Sequence, residues 1–250
     1  MKKRLLSLAL VLCMALALLP VGAAADETSD VLTYSIINDE VEIARCDMSA
    51  AGAVTIPDTI EGYPVTSIGD WSFEGCVDVT SVTIPDTVTD IGIGAFNYCL
   101  NLASVTIPNS VTRIGASAFS NTKLFNDPSN RDNGILYLGH ALIDADDSIT
   151  SCQIKAGTTV IAGSAFCDCT SLTSVTIPDS VTSIGESPFV NTALYDDPSN
   201  WDNGVLYIGN ALIGSKYDIT SCEIKAGTTV IADSAFYQRS SLASVRSRTA

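Results

Sequence analysis

The stretch Leu172-Thr173-Ser174-Val175-Thr176-Ile177-Pro178-Asp179-Ser180-Val181-Thr182-Ser183-Ile184-Gly185 decides the fold. In Leu172-x-x-Val175-x-Ile177 apolar side chains alternate with small hydroxyl residues, the period of a short strand with one buried face, and Pro178 stops it. Val181 to Gly185 reads as a second short extended piece. The following Phe-x-x-Cys segment, clearest at Phe166-x-x-Cys169, reads as a single helical turn. A unit this small cannot bury its own apolar face, so the stretch makes sense only as one rung of a stack.

Copies of the phrase bear this out along the chain. Val-Thr-Ile-Pro occurs at Val54–Pro57, Val82–Pro85, Val105–Pro108 and Val175–Pro178. The phenylalanines that close each unit are Phe73, Phe96, Phe119, Phe166, Phe189 and Phe236, spaced 23, 23, 47, 23 and 47 residues apart. Each gap of 47 hides one degenerate unit. Laying Cys152-Gln153-Ile154 over Val175-Thr176-Ile177 also puts Ile161 on Ile184, which makes Cys152, and likewise Cys222, the equivalent of the strand valine. A longer period of 70 returns Asp127-Pro128-Ser129-Asn130 as Asp197-Pro198-Ser199-Asn200, the mark of a duplicated block. The expected architecture is a β-rich repeat solenoid of short strands and single helical turns over residues 54–250. Hairpin inserts fall near 121–151 and 191–221, and an N-terminal cap at 26–53 is built on the hairpin pattern Tyr34 to Ile43.

With those phrases in view, the sequence resembles the BspA-like leucine-rich repeats of bacterial and some protozoan surface proteins. Leu172 to Gly185, Gly62-Tyr63-Pro64-Val65-Thr66-Ser67-Ile68-Gly69, and Trp201-Asp202-Asn203-Gly204-Val205-Leu206-Tyr207-Ile208-Gly209-Asn210 carry the resemblance, which runs from about Val31 to Val245. It implies a leucine-rich-repeat superhelix and a role in adhesion to host matrix proteins or other cells. It supplies no catalytic residues to transfer.

The ends and the charge set bounds on function. Met1-Lys2-Lys3-Arg4, an apolar run from Leu5 to Leu19, and small residues up to Ala25 have the layout of a signal peptide over 1–25. The run is shorter than the roughly 20 residues a spanning helix needs, so no membrane span is expected in the mature chain. Leu12 before Cys13 argues against a lipid anchor. Removing three positive residues and no negative one takes the formal net charge from −15 to −18. Nucleic acid is thereby disfavoured as a partner, and a soluble monomer is expected. At the other end, Arg246-Ser247-Arg248-Thr249-Ala250 stands where Thr-Ile-Pro would recur, and Arg239 replaces the repeated cysteine. The expectation drawn is an array cut short within a longer one, rather than a unit turned polar.

Seven cysteines follow the peptide. Cys76, Cys99 and Cys169 share one repeat phase and Cys152 and Cys222 another, which points to inward packing of thiols. Cys46 and Cys167 lie outside the ladder and are the candidates for any disulfide. Cys167-x-Cys169 lacks the further ligands that zinc requires. His140 becomes Asn210 in the duplicate block, which suits a turn residue better than a general base. The run Asp144-x-Asp146-Asp147, replaced by Gly214-Ser215-Lys216-Tyr217, reads as a solvated loop rather than a calcium site. No enzyme chemistry, metal or other cofactor is expected.

The remaining function is binding, to an extracellular protein or glycan. Thr83, Thr106 and Thr176 would form an outward strip along the strands, although threonine also suits any exposed strand position. Trp201, Tyr137 and Tyr207 in the inserts are the expected anchors, because aromatic side chains dominate interfaces. The alternatives are a passive spacer in a larger surface protein and the accessory repeat region of a secreted enzyme.

Overall fold

Each unit folds into two short parallel strands, each hydrogen-bonded to its counterpart in the next unit. The structure, a computed structural model, describes residues 31–247. The expected signal peptide and residues 26–30 of the expected cap lie outside them. Gly52–Thr55, Val79–Thr83 and Ser104–Thr106 form one parallel sheet with Val54, Val82 and Val105 in register. Tyr63–Ile68, Asp90–Ile91 and Arg113–Ile114 form another, aligning Ile68, Ile91 and Ile114. The alternation in sequence is the alternation in burial: Val82 and Ile84 are buried while Thr83 between them is exposed.

The register read across the degenerate units is observed. Cys152 pairs with Val175, Ile161 with Ile184 and Cys222 with Val245. Down the axis runs a ladder of wholly buried phenylalanine rings. Phe73 lies 4.9 Å from Phe96, Phe96 lies 5.3 Å from Phe119, and Phe166 lies 5.0 Å from Phe189.

The segment around each phenylalanine is a chain of hydrogen-bonded turns, where a single helical turn was expected. Tyr98, Asn121, Asp168 and Asn191 each sit two residues after the phenylalanine in the left-handed region, with φ between 57° and 65°. A left-handed residue stops helix propagation. The amides point along the stack instead: Phe96 N donates to Ala118 O at 2.7 Å and Tyr98 N to Ser120 O at 3.1 Å. The one-turn helices Lys123–Asn126 and Ala193–Asp196 belong to the inserts.

The inserts are rungs of the stack. After Phe119, the Thr122 hydroxyl accepts from Phe125 N and caps the short helix, and the Asp127 carboxylate caps the 3-10 turn Pro128–Asn130. The chain then enters the antiparallel hairpin Ile135–Leu138/Ala141–Ala145, turning at Gly139-His140. Ala141 and Leu142 pair in parallel with Val160 and Ile161, so this strand fills a ladder position. Leu136, Leu138, Ala141 and Ile143 join the core around Phe73, Phe96 and Phe119. Ile135, Leu142 and Ala145 join the core around Phe166 and Phe189. A strand buried on both faces is apolar throughout, and of the nine residues of these two strands only Tyr137 and Asp144 carry a polar side-chain group. Seventy residues later Val205–Ile208 and Ala211–Ser215 repeat the arrangement.

This unit has no Val-Thr-Ile strand. That side of the solenoid is therefore three separate sheets, with Ser151–Gln153 pairing Ser174–Thr176 and Ser221–Ile224 pairing Ser244–Ser247. The threonine strip is interrupted between Thr106 and Thr176.

At the N-terminal end Leu32–Ile37 and Glu40–Cys46 form the expected hairpin. Its turn residues Asn38 and Asp39 have φ of 54° and 64°, as a type I′ turn requires. Val41 and Ile43 are buried against Tyr63–Ile68, so the hairpin closes the first rung. The first repeat strand begins at Gly52, inside the stretch assigned to the cap by sequence.

All seven described cysteines are free thiols, Cys46 and Cys167 included. Cys76, Cys99 and Cys169 are wholly buried. Their Sγ atoms point at main-chain carbonyls, Cys76 at Cys46 O and Cys99 at Phe73 O. A side-chain hydrogen bond with Cys76, together with burial, raises the Cys46 thiol above its ordinary range, and the two remain unbridged. Burial pushes the Cys99 and Cys169 thiols up to about 12, which keeps them protonated and unreactive.

Candidate functional site: the two insert edges

Tyr137 and Tyr207 occupy equivalent places in the two inserts and do the same structural work. Each phenol oxygen accepts the backbone N–H of a lysine just past the following strand, Lys155 at 3.3 Å and Lys225 at 3.2 Å. The lysine ammonium lies over the ring, 4.5 Å and 4.4 Å from the centroid, and pairs with Asp132 at 2.7 Å and Asp202 at 3.2 Å. Burial raises the Tyr137 phenol above its ordinary range. Both rings are half-buried stitches between an insert and the next unit, and less free than their loop setting in sequence suggested. Thr83, Thr106 and Thr176 are exposed on their strands, divided by the insert as described.

Trp201 and its counterpart Arg131 differ more. In the first block the Arg131 guanidinium lies over the Phe125 ring at 5.2 Å and bridges Asp144 at 2.7 Å and Asp146 at 3.1 Å. Burial pushes the Asp144 carboxyl up, to about 6, against the opposing pull of the guanidinium. Two of the three acids in the run of the first insert, Asp144 and Asp146, are thus tied up internally, while Asp147 is exposed. In the second block Trp201 replaces the arginine. Its Nε1 donates to Tyr195 O at 2.7 Å and its ring meets the Tyr195 ring edge-on, centroids 5.0 Å apart. Gly214 and Lys216 stand where Asp144 and Asp146 were, and the Lys216 ammonium lies 5.7 Å from the tryptophan ring centroid.

Beside this pair is a surface depression of about 90 Å³ that sequence reading missed. Tyr195, Gly214, Tyr217, Tyr237, Arg239 and the hydroxyl-bearing Ser187 are among its lining residues. Tyr217 and Tyr237 are 71% and 66% exposed. Arg239 stacks 4.0 Å from the Tyr217 ring centroid and donates to Ser215 O and Tyr237 O, which fixes both tyrosine segments. The available signal was the comparison at an offset of 70, where Asp147, Cys167 and Cys169 become Tyr217, Tyr237 and Arg239.

His140 sits in the hairpin turn with Nε2 3.0 Å from Val111 O, and no base–nucleophile pair is built on it. Among the described residues no group of three or more His, Cys, Asp or Glu side chains is placed to hold a metal ion.

Comparison with known proteins gives the family. The model for the BspA type leucine rich repeat region matches six copies, over residues 48–131 and 141–249. No curated protein matches the chain. Among solved structures, the chain is similar to a T. pallidum leucine-rich-repeat protein at 23% identity, over 87% of this chain and 80% of that one, with a TM-score of 0.42. It is also similar to a leucine-rich cell surface protein of Faecalibacterium prausnitzii at 30% identity, over 87% of this chain and 53% of that one, with a TM-score of 0.40. A Bacteroides ovatus leucine-rich-repeat protein matches at 21% identity over 88% of this chain and 76% of that one, with a TM-score of 0.42. With its repeats phased, stacked and matched across most of its length, the chain belongs to the BspA-type leucine-rich-repeat family.

Proposed function

We propose that the chain is an exported, monomeric surface module that binds an extracellular protein or glycan along the edge formed by its second insert, around Trp201. The observation that carries this reading is the divergence of the two blocks. One scaffold, repeated after 70 residues, holds an ion-pair cluster in the first copy and, in the second, the half-buried Trp201–Tyr195 pair beside the exposed Tyr217 and Tyr237. Exposed aromatic clusters mark interaction sites, whereas a purely mechanical duplicate has no use for them. Export is supported by the signal-peptide pattern of residues 1–25, and a surface location by the F. prausnitzii relative, which is described as a cell surface protein. Among the described residues no helix is long and apolar enough to cross a membrane.

Surface-binding measurements against extracellular-matrix proteins and glycans test the reading, with circular dichroism to confirm folding. Trp201→Ala is expected to weaken binding by about tenfold or more, since truncating an interface aromatic costs about 2 kcal/mol. Thr106→Ala should weaken it by no more than about fivefold, the loss of one neutral hydrogen bond. Undiminished binding by both variants would remove the insert edge as the site. Absence of any ligand for the parent chain would favour a passive spacer.

A further inference from the structure

We propose that the depression beside Trp201 is a subsite for an acidic saccharide, a pyranose ring carrying a carboxylate or sulfate group. The inference rests on the surface-binding reading and names the ligand class for the same edge.

The duplicated block supplies an internal comparison. Ser187 and Ser234 in the lining have the counterparts Ser117 and Ser164, so these two hydroxyls are common to both blocks. The rim is not. The lining of the second block holds no carboxylate and one cation, Arg239, whereas the corresponding positions of the first block hold Asp144 and Asp147 and no cation. Lys216, just outside, adds a second positive charge where the first block has Asp146. At these lining positions and at Lys216, three carboxylates of the first block have given way to glycine, tyrosine and lysine, and Arg239 has been added, although Asp196 and Asp218 stand nearby. Charge complementarity of that kind selects an anionic partner.

The shape and the side chains select a sugar. A space of about 90 Å³ is far below the roughly 300 Å³ of pockets that enclose a ligand, so whatever binds lies on the surface with one group lowered into it. Tyr217 and Tyr237 offer exposed ring faces on which the C–H face of a pyranose can lie. Arg239 uses its Nε and part of each terminal nitrogen on Ser215 and Tyr237, which leaves N–H donors for an acidic group or ring hydroxyls. A peptide would need either a deeper apolar hole or an open strand edge. Along this strand Gly214 pairs with Leu206 and Ser215 with Val205, and the Ser215 carbonyl is taken by Arg239, which leaves little strand edge for a peptide to extend.

Gly214 provides the sharpest test. A Cβ there would meet Tyr195 at 3.6 Å and Trp201 at 3.9 Å, ordinary contact distances, so the backbone accepts a side chain and Gly214→Asp restores the carboxylate of the first block. Titration calorimetry with heparin and polygalacturonate oligosaccharides, and with maltooligosaccharides as the neutral control, reads the outcome. The parent chain should bind an acidic oligosaccharide and prefer it to the neutral one. Gly214→Asp, Tyr217→Ala and Tyr237→Ala should each weaken that binding at least about tenfold. Tyr98→Ala, an exposed tyrosine in a regular unit before the inserts, should leave it unchanged. The proposal is overturned if no acidic oligosaccharide binds, if the neutral one binds equally, or if the three variants bind like the parent. Should the parent fail here yet bind a matrix protein saturably, the saccharide subsite is lost and the surface-binding module stands.

Discussion

Phe96→Ala is expected to destabilise the chain by about 3–5 kcal/mol, enough to remove a large part of the stability of a domain of ordinary stability. The Phe96 ring is wholly buried between those of Phe73 and Phe119, at 4.9 Å and 5.3 Å. Deleting it leaves a void that neither neighbour can enter, because hydrogen bonds from rung to rung fix the spacing. Phe73 N donates to Ala95 O and Phe96 N to Ala118 O, both at 2.7 Å. Urea denaturation should show the midpoint falling with little change in slope. Tyr98→Ala, two residues away but 53% exposed, should shift stability by no more than about 0.5 kcal/mol. Equal effects from the two substitutions would mean that the ring ladder is not the spine of the fold.

Leu136→Asp is expected to cost at least about 4 kcal/mol and to split the unfolding transition. Leu136 is wholly buried in the first insert hairpin, its strand neighbour Arg131 is already committed to Asp144 and Asp146, and a buried charge with no free partner is among the largest single-residue penalties. In a solenoid each unit touches only its neighbours, so damage to one rung uncouples the stretches on either side. The two tryptophans stand on opposite sides of this hairpin in the chain, Trp71 before it and Trp201 after it. Fluorescence of the variant carrying Trp71→Phe or Trp201→Phe would follow one side at a time. In Leu136→Asp the two probes should report different midpoints, and in the parent coincident ones. Coincident transitions in the variant would show that the hairpin does not couple the stack.

The regular units were legible because their signal is redundant. Alternation around Val82, Val105 and Val175 sets the buried face, Ile-Gly marks the second strand, and the phase carries through Cys152 and Cys222 even where the valine is lost. The insert was legible as a hairpin but not as a rung. Its Ile135–Ala145 segment lacks the Val-Thr-Ile phrase, and its parallel pairing with Val160–Ile161 depends on burial of both faces, which local pattern does not specify. Left-handed Tyr98 and Asp168 carry no local mark either, since hydrogen bonds to the next unit impose their conformation.

The site was half visible for a similar reason. Trp201 stood out by its bulk, yet Tyr217, Tyr237 and Arg239 are scattered in sequence and converge only through the turn after one insert and the turns of the next unit. Tyr137 and Tyr207 looked free because their partners, the backbone amides of Lys155 and Lys225, lie 18 residues onward.

That the inserts are rungs of one stack is tested most directly by native-state hydrogen exchange of the intact chain, resolved at the amides of Leu142, Ala162 and Ala232. Ala162 N and Ala232 N donate to Leu142 O and Leu212 O, each at 2.9 Å, and so report the pairing of hairpin to ladder. The expected result is protection of Leu142 and Ala162 equal to that of Ile91 and Ile114 in the regular units, with opening free energies close to the global value. Rapid exchange at Leu142 and Ala162, with Ile91 and Ile114 still protected, would contradict it and make the inserts loops hung on the outside of the solenoid.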